Sequence, residues 1–166
     1  MPIRYPPLTA IIATLCFAVL MPAHAGAQPT SKETTMMHAK GDFEVKLTLQ
    51  PAAPGIETAN LGRQTIDKRF HGDLDGTSLG EMLAVMTETK GSAGYVALER
   101  VTGTLHGKHG SFVFQHSGTM HRGAPQLSVT VVPDSGTGEL VGLSGSLMIH
   151  IDSAGNHSYT FDYTLP

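Results

Sequence analysis

At 166 residues with a formal net charge of −3, the chain has room for one ordinary domain and none for a second. Its 11 Lys and Arg are scattered singly, as at Lys46, Lys68, Arg100 and Arg122, and it contains no Trp. Neither a basic groove nor a base-stacking platform is expected, so nucleic acid is excluded as a partner.

The chain opens with a positive charge at Arg4, an apolar run from Leu8 to Met21 and the small-x-small sequence Ala23-His24-Ala25. That order predicts a secretory signal peptide over residues 1–25, with cleavage after Ala25 or Ala27 and export to the periplasm or beyond the cell. The run falls short of the roughly 20 residues that a membrane helix needs, so no stable span is expected after cleavage. Cys16, the single cysteine, lies inside the run. The exported chain would therefore hold no disulfide and must rely on its core. Residues 26–37 are polar and aperiodic, which predicts a flexible tether before a domain over 38–166.

From there short runs of alternating apolar and polar residues predict strands over 39–49, 61–73, 78–88, 93–105, 110–121, 125–132, 138–151 and 157–165. Turn-forming residues separate them at Asp75-Gly76, Lys90-Gly91, Gly107-Lys108, Arg122-Gly123, Ser135-Gly136 and Ala154-Gly155-Asn156. Such short connections imply antiparallel neighbours, and eight meandering strands lose their exposed edges by closing. The predicted fold is all-β, a small eight-stranded antiparallel β-barrel.

Alternation assigns one set of side chains to the interior, including Phe43, Val45, Leu47, Leu49, Ile66, Phe70, Leu83, Val85, Tyr95, Phe112, Phe114 and Tyr163. Polar residues in the same phase are Lys68, Glu81, Glu99 and His116. Unpartnered buried charges are costly, so these four either pair with one another or surround a cavity holding water and a ligand. With Tyr95, Phe112, Phe114 and Tyr163 as apolar wall, they form the candidate ligand-binding set. His116 and Ser117 are strand neighbours on opposite faces, which excludes a serine–histidine dyad from this pair.

No metal or cofactor is expected. His106 and His109 flank a predicted turn, and Asp73-Leu74-Asp75-Gly76 opens like a calcium loop whose twelfth position is Ala84 instead of a glutamate. Met82, Met86, Val96, Leu98 and Val113 fall in the outward phase, and an apolar patch outside a barrel predicts self-association into a homo-oligomer.

Three blocks carry a resemblance: Phe70-His71-Gly72-Asp73-Leu74-Asp75-Gly76-Thr77-Ser78, the stretch from Gly94 to Leu105 continued by Gly110 to Thr119, and the stretch from Val132 to Gly145 containing Gly136-Thr137-Gly138-Glu139-Leu140. Together they resemble the bacterial family called domain of unknown function 3224. The resemblance implies a barrel similar to the allene oxide cyclase and dirigent folds, and it implies no established activity. The residues themselves favour a binding module for a small, largely apolar ligand. The rivals are a cyclase- or isomerase-type enzyme using the inward polar cluster, and a structural or interaction protein with a filled barrel.

Overall fold

The computed structural model describes residues 35–166. Eight strands form: β1 (Met37–Gln50), β2 (Gly62–Gly72), β3 (Leu74–Met86), β4 (Ala93–Leu105), β5 (Lys108–His121), β6 (Ala124–Val131), β7 (Ser144–Ile151) and β8 (His157–Thr164). Each pairs antiparallel with its successor, and β8 returns to β1 to close an eight-stranded barrel. The signal-peptide reading and all of the tether up to residue 34 lie outside the described residues. Met37 already pairs with Tyr163, so the barrel starts one residue before the expected boundary. Among the described residues no helix is long and apolar enough to cross a membrane.

Hairpin chemistry explains the tight connections. Leu105 and Lys108 pair across His106-Gly107, and His121 and Ala124 pair across Arg122-Gly123; both central residues of each loop have positive φ. That is the mirror-image turn whose twist matches the strands it joins. The first of these loops sits one residue earlier than expected. The β2–β3 turn also moves, from Asp75-Gly76 to Gly72-Asp73, because Asp75 and Gly76 are already paired in β3 with Thr104 and Gly103. Gly76 and Gly103 face each other so closely that a Cβ on Gly103 would meet the Gly76 Cα at 2.6 Å, which lets β3 and β4 bend together at this end.

Residues 138–143, expected as the start of a strand, instead form a 3-10 turn (Gly138–Leu140) and a loop that close one end of the barrel. The segment runs beside the lower half of β5. The Val132 and Thr137 N–H groups donate to the carbonyls of Val113 and Ser111, and the Ser135 hydroxyl accepts from the Val113 N–H. Glu139 accepts from the His109 N–H at 2.8 Å, and Leu140 and Leu143 insert into the core. Below the middle of the barrel the interior is solid, with Phe70, Leu74, Phe112, Phe114, Tyr159, Phe161 and Tyr163 all buried and the rings in mutual contact. Such close packing holds side chains in single rotamers.

The opposite end is open. β8 pairs with β1 only up to Phe43, so residues 44–50 of β1 rise past the β7–β8 turn with β2 as their remaining partner. Here inward-phase apolar residues stay exposed: Leu47 is 50% accessible and Leu49 78%. The barrel is thus a cup with a packed base and an apolar mouth.

One strand reverses the expected faces. In β3 the inward positions are Leu74, Gly76, Ser78, Gly80, Met82 and Ala84, while Leu79, Leu83 and Val85 point outward. Register decides this: Lys68 pairs with Ser78 and Phe70 with Gly76, so the residues in phase with Ser78 turn inward. Met82 therefore belongs to the interior, and the outer apolar patch is Leu79, Leu83, Val96 and Leu98, with Leu83 directly opposite Val96.

Candidate functional site

Four consecutive strands each contribute one polar side chain at the junction between packed base and open cup. Lys68 comes from β2, Ser78 from β3, Glu99 from β4 and His116 from β5. Gly80 lies directly across from Glu99, and a Cβ there would approach the Glu99 Cβ to 2.7 Å. The missing side chain leaves the glutamate room to reach its partners.

The carboxylate of Glu99 is the hub. Its Oε1 accepts from Lys68 Nζ at 2.8 Å and from His116 Nε2 at 3.0 Å, while its Oε2 accepts from the Ser78 hydroxyl at 2.9 Å. All four residues are buried. Burial pushes the Glu99 carboxyl up, but the hydrogen bond from His116 and the charge of Lys68 outweigh it and hold the group at about 2. Glu99 is therefore ionised. An ionised carboxylate only accepts, so His116 carries a hydrogen on Nε2 and turns Nδ1 away from Glu99. Lys68 also lies over the Phe43 and Phe70 rings, at 4.9 and 5.7 Å from their centroids.

Above this cluster the cup holds a cavity of about 350 Å³. Its walls are Phe43, Val45, Leu47, Ile66, Met82, Ala97, Leu127, Ile149 and Ile151, and its polar lining is Lys68, Tyr95, His116 and His157. A contiguous cavity of about 260 Å³ at the mouth shares Met82, Tyr95 and Leu127 and adds Met86, Met120 and Pro125. The Tyr95 ring lies against Gly118, its cross-strand partner, where any side chain would collide with it. Burial and the Glu99 charge both raise the Tyr95 hydroxyl above its ordinary value, so it remains a donor. Among the described residues, neither the Tyr95 hydroxyl nor His116 Nδ1 has a protein hydrogen-bond partner.

The residues expected at the site divide into three groups. Lys68, Glu99 and His116 meet as one cluster, and Tyr95 stands above them. Phe112, Phe114 and Tyr163 are inward and fully buried, but they lie in the packed base beneath the cavity. Glu81 is corrected outright: it faces outward and pairs with Arg63, which holds its carboxyl below the usual range. Sequence reasoning passed over Ser78, Met82, Leu127, Ile149 and His157 as site residues. The signal for Ser78 was its place in the Gly76-x-Ser78-x-Gly80 alternation of small residues. His106, which occupies the β4–β5 turn, is bonded through Nδ1 to the Tyr163 hydroxyl at 2.7 Å.

A family model described as "Protein of unknown function (DUF3224)" matches residues 39–163. The chain belongs to this family. It is similar to a DUF3224 family protein of unknown function from Shewanella oneidensis MR-1, whose crystal structure matches with 47% identity and a TM-score of 0.73. That match covers 80% of this chain and 98% of the other. No curated protein matches the chain. All three sequence blocks that carried the resemblance fall in the DUF3224 span, and all three build the site and its base: Phe70–Ser78 supplies Ser78 together with Phe70 and Leu74 of the base. Gly94–Leu105 with Gly110–Thr119 supplies Tyr95, Glu99 and His116, and Val132–Gly145 supplies the plug.

Proposed function

We propose that this DUF3224 barrel is an exported binding protein for a small, largely apolar molecule that enters the open end and sets its polar end on the Lys68–Glu99–His116 floor. The observation that carries this reading is an apolar cavity of about 350 Å³ with Lys68 and His116 of the buried cluster in its lining. Ligand sites have this composition: mostly apolar walls and a few fixed polar groups that orient the occupant. Export rests on the signal-peptide pattern of residues 1–25, and N-terminal sequencing of protein from the exporting cell tests it.

Binding is tested with a neutral apolar fluorophore such as N-phenyl-1-naphthylamine. The purified barrel is expected to enhance its emission, and filling the cup by Ile149→Trp or Ala97→Phe is expected to abolish the enhancement while circular dichroism stays barrel-like. Equal enhancement by the filled variants would place the dye elsewhere and overturn the reading.

One observation also favours an isomerase-type reading. Glu99 binds Nε2 of His116, so that in the neutral imidazole Nδ1 would be the proton acceptor, an arrangement also found in carboxylate–histidine general bases. Lys68 would stabilise negative charge developing beside it. Turnover that is lost in a His116→Gln variant, with dye binding retained, would move the assignment from binding protein to enzyme.

A further inference from the structure

Resting on the binding reading above, we infer that the polar end of the ligand is a carboxylate, carried on a medium-length acyl chain, and that it binds together with one proton taken up by His116.

The argument begins with the sharing of a single oxygen. Lys68 Nζ and His116 Nε2 both bond Glu99 Oε1, which holds the ammonium and the imidazole side by side at the cavity floor. Among the described residues, Glu99 is the single hydrogen-bond partner of each. An ammonium has three donors, and a protonated imidazole has a second one at Nδ1. A carboxylate entering from the cup can therefore bridge Lys68 Nζ and His116 Nδ1 on the side away from Glu99, so that two cations alternate with two carboxylates. Such charge-assisted bonds are stronger than neutral ones, and the paired geometry satisfies charges that would be costly alone.

Charge count dictates the proton. With His116 neutral, Lys68 and Glu99 cancel, and adding a carboxylate leaves one uncompensated negative charge in a buried site. Protonation of His116 restores neutrality. Every titratable group that faces His116 is accounted for: Glu99 and Tyr95 from β4, Lys68 from β2, and His157 across the cavity at the start of β8. Tyr95 adds a hydroxyl donor near the bridging carboxylate. The rest of the cavity is apolar. At about 30 Å³ per small non-hydrogen group, taking water's share of the liquid as guide, 350 Å³ accommodates roughly a dozen such groups, the size of decanoate.

Calorimetric titration of the purified protein with decanoate and with decanol tests this. Decanoate is expected to bind with uptake of close to one proton, read from the dependence of the heat on buffer ionisation enthalpy. Its affinity is expected to fall by up to about tenfold for each rise of one pH unit over which the proton is taken up, while decanol affinity stays level. His116→Gln retains a donor toward Glu99 but cannot become a cation. It is expected to lose far more affinity for decanoate than for decanol and to show no pH slope, whereas His157→Gln keeps the slope. Decanoate binding without proton uptake, or decanol binding with no decanoate binding, would overturn the carboxylate inference and leave the binding reading standing. Failure of decanoate, decanol and the neutral dye alike would overturn both.

Discussion

Glu99 is the residue that holds the buried polar cluster together. It is 1% exposed and gathers three donors from three other strands. Its folded pKa of about 2 lies below the ordinary carboxyl value, so its contribution to stability is fully present above about pH 5 and is lost as pH falls toward 2. Urea unfolding across that interval is expected to show a loss of a few kcal/mol that Glu99→Gln flattens. The variant itself is expected to be less stable at neutral pH by about 3–5 kcal/mol, because Lys68 is left buried without its counter-ion. A Lys68→Met, Glu99→Met double variant removes both charges and is expected to recover most of that loss, since apolar replacement of a buried ion pair is often neutral. An acid-unfolding profile of Glu99→Gln that overlays the wild type would show that the cluster does not control acid stability.

At the scale of elements, the β2–β3 corner shows how the closed base is pinned. The Tyr159 hydroxyl on β8 passes over Gly41 of the neighbouring β1, accepts from the Leu74 N–H at 2.9 Å and donates to the His71 carbonyl at 3.1 Å. Burial pushes this hydroxyl up to about 12, so it stays a donor throughout the working pH range. Tyr159→Phe keeps the ring against Phe70 but leaves a buried N–H unmet, and is expected to cost about 1–3 kcal/mol in denaturant unfolding. Decanol binding is expected to persist in this variant, because Tyr159 lies in the base and not in the cavity wall. Loss of that binding would mean that the base and the cup do not act as separate layers.

For the whole barrel, the eight seams are unequal. β3 and β4 pair from Leu74 with Leu105 to Met86 with Ala93, whereas β6 and β7 share only the Thr130–Ser146 position. The plug segment takes the place of β6 along the lower half of β5, so that seam is held by side-chain packing of Leu140 and Leu143 more than by a hydrogen-bonded ladder. Local opening follows the weakest ladder. Amide hydrogen exchange is expected to be fastest, within the strands, along the facing edges of β6 and β7 and slowest in β3 and β4. Protection of β6 and β7 equal to that of β4 would show that packing alone closes the barrel as firmly as backbone pairing. On the outer wall the Leu79, Leu83, Val96 and Leu98 patch lies on the best-paired strands.

Alternating apolar residues and glycine-bearing turns determined an eight-stranded meander in advance, because a two-residue side-chain period and positive-φ loops are local properties of the chain. The same period placed Lys68, Glu99 and His116 inside, since each lies in phase with large apolar neighbours such as Phe70, Val101 and Phe114. It failed on Glu81, because Leu79, Leu83 and Val85 in its phase are larger than the inward Gly76, Ser78, Gly80 and Ala84, so size alone pointed the wrong way. Three properties depended on tertiary structure. The cross-strand register of Lys68 with Ser78 chose the face of β3, and the plug at Gly138–Leu140 filled one end of the barrel and left the other open. Convergence of Lys68 and His116 on one oxygen of Glu99 turned scattered polar residues into one buried cluster. All three are relations between residues distant in sequence, and no local pattern encodes them.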